Sequence, residues 1–399
     1  MLFSPNNIIA YFQPILSADS HSVYSYEVLG RFVDSDGTVK SLGPFFSDAN
    51  TTGEDALKVD RMVRRYAMKK YAEEKRTEYL FINIRLAWLE KFLDKPKELP
   101  TIQLAQEFGI APDRIVIEIT EEEFNASDAY IDVLTYYKKA GFRIALDDYG
   151  KKANNIDRIA QIHPDIIKID IDYIHKSEGS YHYREYLKFL STFAESVGIE
   201  VLYEGIETQV QLDICMSSKG RFYQGFFIAK PQESMQNPDV NYIGFSASIE
   251  RAYEMLRKKN EHVNTLKTSL DSKIRNFLND NPLFYEKKDI ETYLTKLCSE
   301  LPEVIRIYLC DRHGNQITYN FERISGKVLI YDYRGKNWSW RGFFHEAQET
   351  VITGKNSCLS TAYRDFATKK QVFTYFYAFS DDVFLFADIN KAPFLKFDK

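Results

Sequence analysis

A series of polar side chains ends successive short apolar runs in the first 230 or so residues: Glu27, Asn83, Glu118, the adjacent Asp147 and Asp148, Lys168 followed by Asp170, Glu204, and Gln224. A single acid after a strand is ordinarily a turn or cap residue. A whole series of them is not explained that way. Glu118 sits inside Ile-Val-Ile-Glu-Ile, where a carboxylate is costly to bury without a cation. The neighbouring Asp147 and Asp148 would repel one another and raise one pKa unless a divalent ion lay between them. Carboxylate and amide oxygens of this kind suit hard cations: Mg²⁺, Mn²⁺ or Ca²⁺. Two ions about 3.5–4 Å apart would give the arrangement used in phosphodiester hydrolysis. Arg31 and Lys168 can hold or polarise phosphate oxygens. The residues thus point to metal-dependent hydrolysis of a phosphate ester and leave the substrate open.

These side chains must be brought to one place by the elements that carry them. Strand-like runs rich in Ile, Val, Phe and Tyr fall at Ile8–Ile15, Tyr24–Phe32, Tyr79–Ile84, Arg114–Ile119, Arg143–Leu146, Ile166–Ile169, Glu200–Tyr203 and Phe222–Ile228. Amphipathic stretches lie between most of them, at Asp55–Glu74, Tyr130–Lys139 and Tyr186–Val197, and Gly141 and Gly198 fall where the last two should stop. Such alternation predicts a parallel sheet. The number of strands and the length favour an α/β (β/α)₈ barrel, whose strand ends converge on one catalytic face.

The 399-residue chain carries a formal charge of −5 and 44% hydrophobic residues. That is an ordinary globular composition, and its overall field does not suit a protein that coats DNA. No apolar run approaches the ~20 residues of a membrane span, and no export signal is visible. Cys215, Cys298, Cys310 and Cys358 show no close pairing motif, so a reducing, cytoplasmic setting is expected. The histidines have no zinc-like spacing, and no organic cofactor is evident. Domain boundaries are expected at residues 1–245 for the barrel, 246–280 for a helical linker and 281–399 for a third segment. In the linker Ile249, Leu256, Val263, Leu270 and Phe277 recur every seven residues. The repeat fits either a coiled coil or an amphipathic helix packed on its own domain. After Pro282 a helix at Asp289–Ser299 is expected. Strands should follow at Val304–Cys310, Gln316–Phe321, Val328–Tyr333, Val372–Phe379 and Val383–Asp388, with a helix at Gly342–Thr353 among them. Together they make a small α+β module.

With these residues in view, positions 4–235 resemble the EAL-domain family of cyclic di-GMP phosphodiesterases, which are modified TIM (β/α)₈ barrels. The naming motif reads Glu27-Val28-Leu29-Gly30-Arg31. Around it stand Tyr11-Phe12-Gln13-Pro14-Ile15, Phe81-Ile82-Asn83-Ile84, Glu118-Ile119-Thr120-Glu121 and Leu146-Asp147-Asp148-Tyr149-Gly150. Pro164-Asp165-Ile166-Ile167-Lys168-Ile169-Asp170, Glu204-Gly205-Ile206-Glu207-Thr208 and Gln224-Gly225-Phe226 follow in the family's order. The resemblance implies one metal held by Glu27, Asn83, Glu118 and Asp147, and a second by Asp147, Asp148 and Glu204. Lys168 would position the attacking water, and Glu204 or the metals would help deprotonate it. Arg31 would meet a phosphate, with Gln13, Leu29 and Gln224 lining the guanine and ribose sites. Glu121, Asp170 and Glu207 would support these groups from behind. Mg²⁺ or Mn²⁺ would serve turnover, and Ca²⁺ would bind without supporting it. The reaction implied is in-line attack of water on one phosphodiester, giving linear pGpG.

The chain departs from the family after Asp148. Where the family runs Asp-Phe-Gly-Thr-Gly-Tyr-Ser-Ser, this sequence reads Asp148-Tyr149-Gly150-Lys151-Lys152-Ala153-Asn154-Asn155. One glycine is gone and two lysines are added. The family uses this loop to couple dimer contacts and metal placement to turnover. Two readings therefore stand: a slow or conditional phosphodiesterase, or a cyclic di-GMP receptor with little hydrolysis. A third, a degenerate scaffold, is disfavoured by the full set of ligands. Leu309–Ile317 resembles the strand–turn–strand of PAS- or Cache-like sensor modules. A homodimer and an unknown small ligand for that module are expected, and the order barrel, long helix, PAS-like module is similar to one branch of the family.

Overall fold

The computed structural model describes residues 4–390 apart from 49, 121–128, 150–155, 236–239, 283 and 287. The chain divides into two units, Met1–Ala252 and Tyr253–Lys399. The first carries β1 (Ile8–Ser17), β2 (Ser22–Val33), β3 (Val39–Ser41), β4 (Tyr79–Asn83), β5 (Ile115–Thr120), β6 (Arg143–Tyr149), β7 (Ile166–Ile169), β8 (Glu200–Tyr203) and β9 (Phe222–Tyr223). Strands β2 and β4 to β9 pair in parallel, each with the next. β1 closes the ring by pairing antiparallel with both β2 and β9. The result is a closed (β/α)₈-type barrel modified by one reversed strand, with β3 attached outside as a hairpin on β2.

Eight helices accompany these strands among the described residues: α1 (Gly43–Ser47), α2 (Gly53–Glu73), α3 (Pro100–Phe108), α4 (Ala129–Lys139), α5 (Ile156–Ile162), α6 (Ile171–Gly179), α7 (Tyr181–Ser196) and α8 (Gln209–Ser217). Local chemistry sets several of their ends. Thr52 accepts the Asp55 N–H at the start of α2, and Thr208 with Gln211 forms a reciprocal capping box on α8, each cap worth about 1 kcal/mol. Gly141 and Gly198 follow α4 and α7 with φ of 99° and 74°, as their places in the sequence predicted.

The barrel interior is layered by strand periodicity. Ile15, Phe81, Val116, Ala145, Ile166, Leu202 and Phe222 form a buried apolar plug. The alternate faces of the same strands, among them Ile82, Ile117, Ile144 and Ile167, join the main core that includes residues of the outer helices. Because both faces are covered, the strands read as nearly continuous apolar runs, which is why their positions are visible in the sequence. Val28 likewise packs into the main core, opposite in sense to Glu27.

The long helix α9 (Tyr242–Asp280) begins in the first unit and ends in the second. The second unit adds α10 (Ile290–Glu300), β10 (Val304–Asp311), β11 (Asn320–Ile324), β12 (Lys327–Tyr331), α11 (Gly342–Ile352), β13 (Ser357–Leu359), β14 (Tyr363–Arg364), β15 (Gln371–Ala378) and β16 (Val383–Asn390). Its antiparallel sheet runs β12-β11-β10-β16-β15-β13, with β14 beside β15. Alternation gives the sheet two apolar faces. Ile307, Leu309, Tyr375, Leu385 and Ile389 pack on Leu266, Leu270, Ile274 and Phe277 of α9 and on Leu294 and Leu297 of α10. Tyr308, Cys310, Phe376, Phe384 and Phe386 pack on Phe343, Phe344 and Ala347 of α11.

The seven-residue repeat is therefore partly used inside the chain. Leu270 and Phe277 are buried in the second unit, whereas Leu256 is 53% exposed. No helix among the described residues is long and apolar enough to cross a membrane, and all four cysteines are free.

Candidate active site

Two residues beyond the apolar plug, the same interior positions turn polar. Phe81 gives way to Asn83, Val116 to Glu118, Ala145 to Asp147, Ile166 to Lys168, Leu202 to Glu204 and Phe222 to Gln224. On β1, which runs the other way, the matching step leads from Ile15 to Gln13, and Gln13 lies in register with Glu27 of β2. A period of two thus carries one apolar layer and one polar layer on these seven strands, while on β2 the residue two before Glu27 is the buried Ser25. The polar layer falls at the C-terminal ends of the parallel strands, the face on which barrels of this class place their chemistry.

At its centre is Lys168, fully buried. Its Nζ lies 2.8 Å from Glu118, 3.0 Å from Asp147, 3.0 Å from Glu204 and 3.7 Å from Glu27. Asn83 Nδ2 donates to Glu118 at 2.9 Å and to Glu27 at 3.3 Å. Gln224 Nε2 donates to Glu27 and to Gln13, and Gln13 donates in turn to the Ala229 carbonyl at 3.1 Å. Nothing in the order of residues marks the lysine as an internal countercharge to four acids. The charge types are legible there, but their sum at one point in space is not.

That countercharge is insufficient. Burial pushes the Glu204 carboxyl up to about 8, against the pull of Lys168 and with Asp147 and Glu27 adding to the rise. Burial first, then the repulsion of Glu27 and Asp147, also raises Glu118 well above the carboxylate range despite Lys168. For Lys168 itself, burial opposes the charge, but Asp147, Glu118, Glu204 and Glu27 outweigh it and raise its pKa. The buried Gln224 Oε1 has no hydrogen-bond partner among the described residues, and Glu118 Oε1 and Asp147 Oδ1 are met only by the shared Lys168 amino group. One carboxylate oxygen from each of Asp147, Asp148 and Glu204 lies within 4.8 Å of the others. Oxygen-only donors, unsatisfied acceptors and excess negative charge fit divalent cations such as Mg²⁺, Mn²⁺ or Ca²⁺.

A local irregularity brings both aspartates to this face. On regular β6 the side chains of Asp147 and Asp148 would point to opposite faces. The β6–β7 register instead passes from Leu146↔Ile167 to Tyr149↔Ile169, so two residues oppose Lys168 alone. Asp148 takes the left-handed conformation at φ 56°, as a bulge allows. The hydropathy pattern carries no trace of this bulge.

The other expected site residues occupy varied surroundings. Arg31 is half-buried, donates to the Gly30 carbonyl at 2.9 Å and lies with Cζ 5.4 Å from the Tyr11 ring centroid. Leu29 is half-buried on the same strand. Asp170 is buried and caps α6, accepting the Asp172 N–H at 2.7 Å. Glu207 is not drawn into the Lys168 cluster: its carboxylate lies 3.8 Å from His175 Nε2 with its side chain half exposed. Glu121 and the segment 150–155 lie outside the described residues. Gly225 holds the floor near Gln224. A Cβ there would fall 2.1 Å from the Ile206 carbonyl oxygen, because Gln224 and Phe227 both hydrogen-bond to Ile206. This close approach ends β9 at Tyr223, well short of the Ile228 expected from apolar character.

Comparison with known proteins agrees with this geometry. The EAL domain model matches residues 2–231, and the model described as an EAL-domain associated signalling protein domain matches residues 244–398. The EAL-domain containing protein YkuI of Bacillus subtilis (strain 168) is 32% identical over 397 residues, 98% of this chain and 96% of that protein. The crystal structure of YkuI in complex with substrate cyclic di-GMP and calcium superposes with a TM-score of 0.85 at 30% identity, covering 98% and 97% of the two chains. Klebsiella pneumoniae BlrP1, in a calcium and cyclic di-GMP complex, matches 58% of each chain with a TM-score of 0.52 at 25% identity. The cyclic di-GMP phosphodiesterase RocR of Pseudomonas aeruginosa is 24% identical over 230 residues, and the match spans 57% of its length.

Proposed function

Because the chain belongs to the EAL-domain family, we propose that its barrel binds cyclic di-GMP with divalent cations and hydrolyses it to linear pGpG. The observation that carries this reading is the buried Lys168 amino group among Glu118, Asp147, Glu204 and Glu27, at a strand-end face holding more acids than it can neutralise. Glu27, Asn83, Glu118 and Asp147 would hold one cation, and Asp147, Asp148 and Glu204 a second. When bound, such ions offset phosphate charge and make water more acidic.

The chain's own groups do the rest. Lys168 orients water by donating from a fixed, buried position. Without cations burial pushes the Glu204 carboxyl up to about 8; with cations bound, in this reading, it stays ionised near neutral pH and helps take the proton from water. Arg31 pairs with a substrate phosphate, while Gln13, Leu29 and Gln224 line the guanine and ribose sites. Asp170 fixes the start of α6 behind the site. Glu121 and Glu207 belong to the same supporting set in this reading, and the position of Glu207 beside His175 gives it the weakest geometric case.

Mg²⁺ or Mn²⁺ supports turnover in this scheme, and Ca²⁺ binds without doing so. A homodimer in a reducing cytoplasm completes the reading, with functional boundaries at residues 1–245, 246–280 and 281–399 and a sensory role for the last. A specific observation favours a second reading, a receptor with little hydrolysis: Lys151 and Lys152 replace the family's Thr-Gly after Gly150.

Incubating the full chain with cyclic di-GMP and each of Mg²⁺, Mn²⁺ and Ca²⁺ separates the two. The test combines product chromatography with calorimetry. Formation of pGpG with Mg²⁺ or Mn²⁺ supports the enzyme, binding without product supports the receptor, and neither sinks both. Light scattering at micromolar concentration tests the dimer.

A further inference from the structure

In the second unit, Arg341 immediately precedes α11, and its guanidinium is surrounded by rings. Its Cζ lies 4.5 Å from the ring centroid of Phe366, 4.8 Å from Tyr363, 5.2 Å from Trp340 and 5.5 Å from Phe343. Among the described residues it makes no side-chain hydrogen bond or ion pair. Arg306 on β10 is treated quite differently, since Glu322, Asp388 and Asp365 all surround it. An arginine carries five N–H donors in a planar fork, and those of Arg341 meet no acceptor among the described residues, although its charge is felt by the buried Asp388.

The four rings have distinct roles. Phe343 is buried and stacks on Tyr363 at 5.7 Å. The Tyr363 hydroxyl is tied to Thr374 Oγ1 at 2.8 Å. These two form a fixed floor. Trp340 and Phe366 are 63% and 64% exposed, with rings nearly parallel at 12° and centroids 6.3 Å apart. A flat molecule between them needs about 7 Å at the ~3.5 Å carbon–carbon optimum on each side. The centroid distance bounds the gap from above, so these exposed side chains must part by about 0.7 Å or more to admit it.

We propose that Arg341, Trp340, Phe366 and Tyr363 form a binding site for a small aromatic carboxylate, its ring held between Trp340 and Phe366 and its carboxylate paired with Arg341. Charge decides for a monoanion. The Tyr363 hydroxyl lies 3.5 Å from the buried Asp388 carboxylate, and Asp365 adjoins Phe366 in the chain. A single negative charge is matched by the Arg341 fork, whereas a phosphate dianion would bring a second charge toward these acids and lose more hydration against four rings. The site concerns the second unit alone and does not depend on the chemistry assigned to the barrel.

The test titrates the full chain with benzoate, benzyl alcohol and phenyl phosphate by calorimetry, alongside tryptophan fluorescence. Benzoate should bind with a millimolar or tighter Kd and quench Trp340. Benzyl alcohol and phenyl phosphate should each bind at least ~10-fold more weakly. Arg341→Gln should lower benzoate affinity by ~10-fold or more. Arg341→Lys, which keeps the charge without the fork, should lose less, and Trp340→Phe should keep binding while losing the fluorescence signal. Unchanged melting of the variants checks that they fold. The proposal is overturned by an absence of benzoate binding, by equal affinity in Arg341→Gln, or by tighter binding of phenyl phosphate. It also fails if Arg341→Gln and Phe366→Ala change only the oligomeric state, for the rings would then be a contact between copies.

Discussion

Lys168 holds a position that few lysines tolerate, fully buried with Glu118 as its nearest acid at 2.8 Å. Removing one partner of a buried ion pair usually costs about 3–5 kcal/mol, because the other charge is left uncompensated. Lys168→Met removes the amino group that Glu118, Asp147 and Glu204 share, so the metal-free protein should lose stability in that range. Added Mg²⁺ should return part of it. Urea denaturation in EDTA and in Mg²⁺ reads both effects, and an unchanged midpoint in EDTA would contradict the assigned charge balance. Glu118→Gln should behave differently although it breaks the shortest of these pairs. Lys168 keeps Asp147, Glu204 and Glu27, and one charge of the excess is gone. Relief of repulsion then offsets the lost contact, and metal-free stability should stay within about 1 kcal/mol of the parent or exceed it. Divalent-cation affinity and turnover should fall sharply in the same variant. A large loss of metal-free stability would show instead that the Glu118–Lys168 contact dominates its surroundings.

At the scale of elements, the bulge in β6 and the two ends of α9 each make a testable difference. Asp148 at φ 56° stands where asparagine is well tolerated and a β-branched residue is an outlier. Asp148→Asn should melt near the parent, whereas Asp148→Val should lose about 1–3 kcal/mol. Equal melting would argue that the bulge relaxes. On α9, Leu270→Ala should cost about 2–5 kcal/mol, since Leu270 is buried against the second sheet. Leu256→Ala should cost little within one chain, as Leu256 is 53% exposed, so a large loss there would show that Leu256 is buried between copies.

The barrel strands were legible because burial on two faces writes long apolar runs into the sequence. The apolar stretch Phe222–Ile228 overran because hydropathy does not register the backbone contact at Gly225. The expected strand at Gln316 begins instead at Asn320, because Gln316 exchanges backbone hydrogen bonds with the 335–336 turn. The short β13 and β14 are too brief to leave a periodic signal. Much of the polar series was legible for the same reason as the strands, since Asn83, Glu118, Asp147, Lys168, Glu204 and Gln224 each lie two residues past an apolar plug residue. The bulge and the role of Lys168 as shared countercharge were not, since both depend on register between strands.

For the whole molecule, the decisive feature is that each unit owns its core. The barrel buries its plug and outer layer within Met1–Ala252, and the second unit packs two separate faces of its own sheet. Cores of this kind unfold as separate cooperative units unless their interface is large and apolar. Calorimetry of the full chain should therefore resolve two transitions. A ligand that binds one native unit stabilises that unit alone, by about 2.7 kcal/mol at one hundred times its Kd. Cyclic di-GMP with Ca²⁺, which in the proposed scheme permits binding without turnover, should raise only the barrel transition. Benzoate should raise only the other. If either ligand moved both transitions together, the two units would share a coupling free energy, and the free energy by which one ligand shifts the other's binding would have to be the same in both directions. That reciprocity gives the proposed sensory role a quantitative form. Benzoate should then change the barrel's affinity for cyclic di-GMP by the same factor by which cyclic di-GMP changes the second unit's affinity for benzoate.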